Sequence, residues 1–443
     1  MADPAISIVV PSHNRRDLLA ALFAALAAQA PGTPAFEVIV VADGCRDDTV
    51  AWLGAQREDF VHRVIETPGR GPAFARNRGA ELARGAILLF LDDDVMPSPG
   101  LVSAHAAMHR REAGTAVIGP YPPWPHPGED IFRARIRASW LEHFAALRRP
   151  GHRFGFRDLL TGNLSIARSL WREMGGLDEA FARAREDHEL GVRLIREGVP
   201  IRYCDEAFAW HHEHLTSSLR RAFQRASDEG RSDALLALKH PHLRRSLPVT
   251  RTAMVPRRRI TRTLLLGRKG AVALRLNPVA IAALRALEKV GSRQRHRRLF
   301  NALHSLSYHR AAGEVLGGHW WKIFPDEAPT EPGLRIDLQQ GLAAAEAALD
   351  RARPASVLVT CGDAEIARLP DVPGYEPWAG RHLRQALLER AKPARLLEAL
   401  DGRDATTLPK LLEPAAPSFF HTAGFNAFVH ENALQWARAR NRT

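Results

Sequence analysis

The chain has 443 residues, enough for two or three domains, and its 45% hydrophobic and 25% charged residues are ordinary globular proportions that exclude wholesale disorder. A formal charge of +13 points to an anionic partner: nucleic acid, a membrane surface or phosphorylated substrates. The charge is local, because residues 244–298 carry 16 Arg or Lys against one acid, Glu288, and the rest of the chain is near neutral. Cys45, Cys204 and Cys361 are too scattered for a disulfide framework or a metal-ligand spacing, which fits a reducing cytoplasm. The first ten residues lack a basic region followed by an apolar stretch, so no signal peptide is expected. The longest apolar run, residues 18–28, is too short to span a bilayer.

In chain order, Ile6 to Val10 predict a strand closed by Pro11 and the polar loop Ser12-His13-Asn14; Asp17 then opens a helix to about Gln29. Residues 36–41 predict a second strand, followed by Asp43-Gly44 and a helix from near Asp48. Residues 61–65 predict a third, then the Gly69-Arg70-Gly71 loop and a helix to about Ala83. The fourth, residues 87–91, ends directly in Asp92-Asp93-Asp94. Short apolar strands alternating with helices predict an α/β fold with a parallel, doubly wound sheet, in which ligands gather at the carboxyl ends of the strands. Further on come a Pro-rich loop at 120–127 around Trp124, a helix at 131–147, and Thr161-Gly162-Asn163. A helix starting at Glu186-Asp187 and a last strand at 201–210, delivering His211-His212-Glu213-His214, complete this part. Three short strands (334–338, 357–361 and 365–369) and a helix near 381–391 predict a small appended domain.

Three adjacent acids repel one another, and a divalent cation with oxygen ligands relieves that repulsion while leaving positions open for phosphate oxygens. The plainer alternative for Asp92 to Asp94 is a solvated turn or helix cap; the second acidic loop, at Asp43, favours the cation. Asp47 or Asp48 is better placed to cap the following helix, leaving Asp43 free for hydroxyls such as a ribose. Gly69-Arg70-Gly71 with Arg76 could cradle phosphates, or be an ordinary turn with surface arginines. As a dinucleotide fingerprint it fails, since it lacks the third glycine and follows the wrong strand. Glu186-Asp187 supplies a candidate general base, against the general preference of acids for helix N-termini. His211 is either a metal ligand or a core histidine.

These segments, in this order, resemble family 2 of the inverting glycosyltransferases. The resemblance is carried by Ser7-Ile8-Val9-Val10-Pro11-Ser12-His13-Asn14-Arg15, Val41-Ala42-Asp43-Gly44, Ala75-Arg76-Asn77-Arg78-Gly79 and Phe90-Leu91-Asp92-Asp93-Asp94. Downstream it adds Thr161-Gly162-Asn163, Gly175-Gly176-Leu177-Asp178-Glu179 and Glu186-Asp187-His188-Glu189, covering roughly residues 5–235. It implies a GT-A fold, Rossmann-like, with a mostly parallel sheet and helices on both faces. The domain would cover residues 1–238, followed by a basic helical extension at 239–325 and a small C-terminal α+β region at 326–443. It also implies Mn²⁺ or Mg²⁺ as cofactor, a nucleotide diphosphate sugar donor, and a carbohydrate or lipid-linked acceptor, as in bacterial cell-envelope synthesis. By the same resemblance Pro11, His13, Asn14, Asp43, Arg76, Asp92, Asp93, Gly162 and Asn163 line the donor site. Asp94, in the DxD motif, and His211 hold the metal, with His212 as an adjacent rival. Asp187, beside Glu186, is the implied catalytic base.

A different class, a nucleic-acid-binding protein or a membrane-surface adaptor with a degenerate transferase domain, is motivated by the basic stretch. That stretch lacks interleaved aromatics and any nucleic-acid motif, so no nucleic acid partner is expected. Residues 257–300 mix leucines with arginines, and they suit either peripheral contact with an anionic inner membrane face or an apolar helix face packed on the transferase domain.

Overall fold

Four apolar segments become the strands expected of them: β1 (Ile6–Ser12), β2 (Phe36–Asp43), β3 (Val61–Thr67) and β4 (Ile87–Leu91). Val9, Val10, Val38 to Val41 and Leu88 to Leu91 are fully buried, the unbroken apolar pattern of parallel strands covered on both faces. Between them run α1 (Arg16–Ala27), α2 (Thr49–Ala55) and α3 (Pro72–Leu82). On α1, Leu19, Leu22, Phe23 and Leu26 recur at helical spacing and face the same core. The computed structural model describes residues 3–58, 60–126, 128–250, 277–325 and 333–391. Residues 257–276, the first part of the leucine- and arginine-rich stretch, lie outside them, as does Pro127 of the Pro-rich loop.

The chain continues through β5 (Val95–Pro97), α4 (Leu101–Arg111), β6 (Ala116–Ile118), α5 (Ile131–Leu147), β7 (Asn163–Ala167), α6 (Arg168–Glu173) and α7 (Glu186–Arg196). The seven-stranded sheet has the order β3-β2-β1-β4-β7-β6-β8, with β8 at Ile201–Tyr203. Strands β1 to β4 are mutually parallel, and β7 runs antiparallel to both β4 and β6. This is the mostly parallel GT-A architecture. Because Leu91 pairs with Asn163, antiparallel β7 starts at the edge where β4 ends, so Gly162 lands beside Asp92.

The single strand expected over 201–210 is two. The chain turns at the polar Asp205-Glu206, and β9 (Ala209–His211) leaves the large sheet to pair with β5. That pairing sets His211 opposite Val95, one residue beyond Asp94. Then follow α8 (Glu213–Thr216), α9 (Leu219–Lys239), α10 (Asn277–Lys289) and α11 (Arg293–Leu316).

The described residues fall into two compact units, those up to 325 with Pro370–Trp378, and Gly333–Leu369 with residues 379–391. The described part of the basic extension belongs to the first. Leu284 and Phe300 join Phe132, Leu219 and Phe223 in one apolar cluster, while Tyr308, Ala312 and Leu316 join Ala226 and Leu236 in another. These apolar residues of α10 and α11 are thereby covered by protein, while Val279 and Val315 stay exposed. In the second unit β10 (Leu334–Asp337), β11 (Val357–Cys361) and β12 (Ala364–Leu369) form a small sheet, packed with helices at Leu342–Ala352 and Gly380–Arg390.

Candidate active site

The carboxyl ends of β1, β2 and β4 lie side by side, and each delivers a polar loop. The first two are stitched together. His13 Nδ1 meets the carbonyl of Asp43 at 2.6 Å, and Asn14, at a left-handed φ of 53°, accepts the amide of Arg46 at 2.7 Å. Pro11 is the last but one residue of β1 and sets the exit of this loop.

Asp43 is not free. Its Oδ1 accepts from the Thr67 hydroxyl (2.6 Å) and the amides of Gly69 (2.9 Å) and Arg70 (3.0 Å), and its Oδ2 from the amide of Gly71 (2.7 Å). Burial alone raises its pKa, but the Thr67 hydroxyl and the three amides outweigh it and hold the carboxyl below its usual range. The reading of Asp43 as an unoccupied hydroxyl binder is therefore corrected: the loop after β3 folds onto this carboxylate because a buried anion recruits nearby donors. Gly71 is fixed there at φ 103°, where a Cβ would lie 2.1 Å from the Ala182 carbonyl.

The three acids after β4 point three ways. Asp93 turns inward to the Ser12 hydroxyl (2.7 Å) and the Arg15 guanidinium (2.5 Å). Burial, with the neighbouring Asp94 charge, pushes it up to about 7 against Arg15. Asp94 accepts from Arg15 (3.2 Å) and the Thr216 hydroxyl (3.2 Å), and its Oδ1 faces His211 Nε2 at 3.5 Å. Burial would raise Asp94, but His211 and then Arg15 hold it well below the ordinary carboxylate range. Asp92, partly exposed, takes the Arg76 guanidinium at 2.5 Å.

Arg76 is buried, and its other nitrogen reaches Glu186 Oε1 at 3.1 Å. It joins the β4 loop to the start of α7 and in this structure spends its charge on two carboxylates. Glu186 is pushed up to about 7 by burial and then by the Asp187 charge, which Arg76 opposes. Asp187 is also raised, by burial, against the His188 amide and Arg185. Its Oδ1 accepts that amide at 2.8 Å, while Oδ2 has no hydrogen bond or ion pair among the described residues.

Between His211 and its rival, the fold brings His211 to Asp94. His212 sits partly exposed against Trp124, 5.6 Å between ring centroids. Behind His211, Glu213 Oε2 lies 3.8 Å from Nδ1, and neither atom has a hydrogen-bond partner. Among the described residues no group of three or more His, Cys, Asp or Glu is gathered for a cation. The facing oxygen and nitrogen of Asp94 and His211 could nevertheless serve a divalent ion that leaves positions open for phosphate oxygens.

Asn163 does not line a pocket. It is fully buried, bonded to His105 Nε2 (2.9 Å) and the Ala207 carbonyl (2.7 Å), and holds the antiparallel part of the sheet together. Gly162 packs against the ring of Tyr121, where a Cβ would meet it at 2.8 Å. Sequence reasoning passed over Arg15, Tyr121 and Glu213. Arg15 ends the first motif, and its position after a strand-end polar loop was the available signal; Tyr121 had none beyond lying in the Pro-rich loop.

The model of glycosyl transferase family 2 matches residues 7–167. The chain carries a family 2 glycosyltransferase domain. The validoxylamine A glucosyltransferase of Streptomyces hygroscopicus subsp. jinggangensis is 31% identical over 237 residues, 48% of this chain and 56% of that relative. The hyaluronan synthase of Pasteurella multocida is 27% identical over 240 residues, 47% of this chain and 24% of the relative. The chain thus spans about half, or less, of the length of these relatives. Among solved structures, the mannosyltransferase PcManGT from Pyrobaculum calidifontis, in complex with GDP-Man and Mn²⁺, is 18% identical over 71% of this chain and 88% of that one, at a TM-score of 0.44. Glu186 and His211, which meet Arg76 and Asp94 of the matched residues, come from the stretch after 167.

Proposed function

We propose that the chain transfers a sugar from a nucleotide diphosphate sugar to an acceptor hydroxyl, in a single displacement with inversion at the anomeric carbon. One observation carries the reading: the Asp92 to Asp94 loop meets Glu186-Asp187 through Arg76 and His211 through Asp94, so an acidic edge suited to a cation and a candidate base share one site. The loops holding Pro11, His13 and Asn14 receive the nucleoside, with Asp43 shaping the loop beside it and Asp92 nearest the ribose. Asp94 and His211 would hold Mn²⁺ or Mg²⁺, with the Glu213 carboxylate 3.8 Å behind the imidazole. When bound, the ion offsets the negative charge on the departing nucleotide diphosphate. Asp187 accepts the proton of the attacking hydroxyl through Oδ2, and its raised proton affinity brings it closer to neutral pH, where a general base works best.

The relatives are named for validoxylamine A and for hyaluronan, which favours carbohydrate-like acceptors and a role in glycoconjugate or envelope synthesis. Among the described residues no helix is long and apolar enough to cross a membrane. Peripheral contact with anionic lipid through the basic stretch remains part of the proposal, resting on its charge alone.

The test is thermal stability of the purified protein against a panel of nucleotide diphosphates and their sugar conjugates, with and without Mn²⁺. Ligand binding stabilises the native state by mass action, so no acceptor is needed. A metal-dependent shift with one nucleotide, lost in Asp94→Ala and kept in Asp187→Ala, supports the reading. No shift with any conjugate in a folded sample sinks it.

A further inference from the structure

We infer that α11, far outside the family match, positions the catalytic end of α7 through a buried relay from Tyr308 through Asp233 to Arg185. The inference rests on the reading of Asp187 as the general base. Arg185 immediately precedes Glu186-Asp187 and holds a left-handed backbone, φ 68° and ψ 8°, which no glycine relieves. Such a turn persists only where its surroundings hold it, and here they are specific. Arg185 Nε donates to Asp233 Oδ1 at 3.1 Å, and its Nη2 lies 3.4 Å from Glu229 Oε2, both acids on α9. The second oxygen of Asp233 accepts the Tyr308 hydroxyl of α11 at 2.5 Å.

Asp233 and Tyr308 are both buried, so neither polar group has water to fall back on. The two helices touch backbone to backbone: a Cβ at Gly230 would lie 2.0 Å from the Tyr308 carbonyl. Only a glycine on α9 lets α11 come close enough for the hydroxyl to reach Asp233. Tyr308, Asp233 and Arg185 are positioning residues. They act on the reaction by fixing where Asp187 points and by keeping a cation beside it.

Titratable and charged groups facing Asp187 are Glu186, His188 and Arg185 along its own chain segment, Arg76 from α3, Arg225 from α9 and Tyr121 from the Pro-rich loop. Arg185 lowers the proton affinity of Asp187. Loosening Arg185 therefore raises it, and the acidic limb of the rate profile moves to higher pH.

The experiment measures hydrolysis of whichever of UDP-glucose, UDP-N-acetylglucosamine or GDP-mannose the full wild-type chain turns over, with water as acceptor. Tyr308→Phe, which removes one oxygen, is compared with Asp233→Asn and Arg185→Lys. The expected result is a fall in kcat of at least about threefold, towards the hundredfold that about 1 Å of misplacement costs. Donor KM stays unchanged, and the acidic limb shifts upward. Arg185→Lys, retaining the charge, keeps the limb near its wild-type position while kcat falls. If Tyr308→Phe does not fold, Asp233→Asn reads the same contact.

Variants that keep wild-type kcat and pH profile overturn the relay. So does a loss of thermal stability in Tyr308→Phe or Asp233→Asn with no change in the limb, which marks a merely structural contact. A wild-type chain that binds nucleotide sugars but turns none over instead removes the reading of Asp187 on which the relay depends.

Discussion

Asp43 and Asp187 are both shielded carboxylates at the same edge of one sheet, but their surroundings treat them in opposite ways. Four fixed donors close around Asp43 and stabilise its anion, whereas Asp187 keeps one backbone amide and an unpaired oxygen, and its proton affinity rises. The loop after β3 is held by a carboxylate whose Oδ1 alone takes three donors, while the start of α7 carries a carboxylate with one oxygen unpaired among the described residues. Two residues further along α7, fully buried Glu189 repeats the first solution with cations. Arg193 lies 2.8 Å away, Lys239 2.7 Å and His240 3.1 Å. Strand-end and helix-start acids are thus alike in sequence and divided in role by the donors that the fold places around them.

The largest expected effect is on turnover. Asp187→Asn lowers kcat by about 10²- to 10⁴-fold while leaving nucleotide binding intact, read by steady-state kinetics beside the thermal-shift titration. Loss of nucleotide binding with kcat preserved breaks the contrast with Asp43.

Glu189→Gln comes next, leaving cations beside a buried neutral side chain and lowering unfolding stability by about 3–5 kcal/mol in denaturant titration at neutral pH. His240, Arg193 and Lys239 overcome burial to depress Glu189 to about 2 from 4.5. The unfolded chain therefore binds the proton more tightly. The contribution is fully present above about pH 4.5 and disappears as pH falls through about 2. A variant whose stability deficit persists unchanged in acid argues against this pair.

Asp43→Ala strands a buried set of donors and costs about 2–3 kcal/mol. At temperatures where the variant is folded, nucleotide affinity falls far less than in Asp94→Ala. Equal losses in isothermal titration return Asp43 to the role of direct ligand. The smallest effect belongs to Arg70→Ala. Its exposed side chain pairs with Glu179 at 3.0 Å, but only its backbone serves Asp43, so stability changes by less than about 1 kcal/mol.

Much of the scaffold was legible in the chain. Runs such as Val38 to Val41 and Leu88 to Leu91 can be buried on both faces only as central parallel strands, and that places Asp43 and Asp92 at one edge. The order of the motifs named the family, and the acids, Arg76 and His211 were recognisable as a group. What short-range pattern could not supply was the division of labour. Asp43 was read as free because its four partners lie 24 to 28 residues away. Asn163 was read as pocket-lining because nothing local shows that His105 and Ala207 enclose it.

The choice of His211 over His212 depends on β9 pairing with β5, a non-local register that turns one imidazole inward and the next outward. Likewise Tyr308 reads in sequence as one more residue on a basic helix. Its meeting with Asp233, 75 residues away, exists only once α9 and α11 are packed. Sequence periodicity records which residues must leave water. Which polar groups then find each other is decided by the packing of elements distant along the chain, since a buried charge takes whatever partner the tertiary fold supplies.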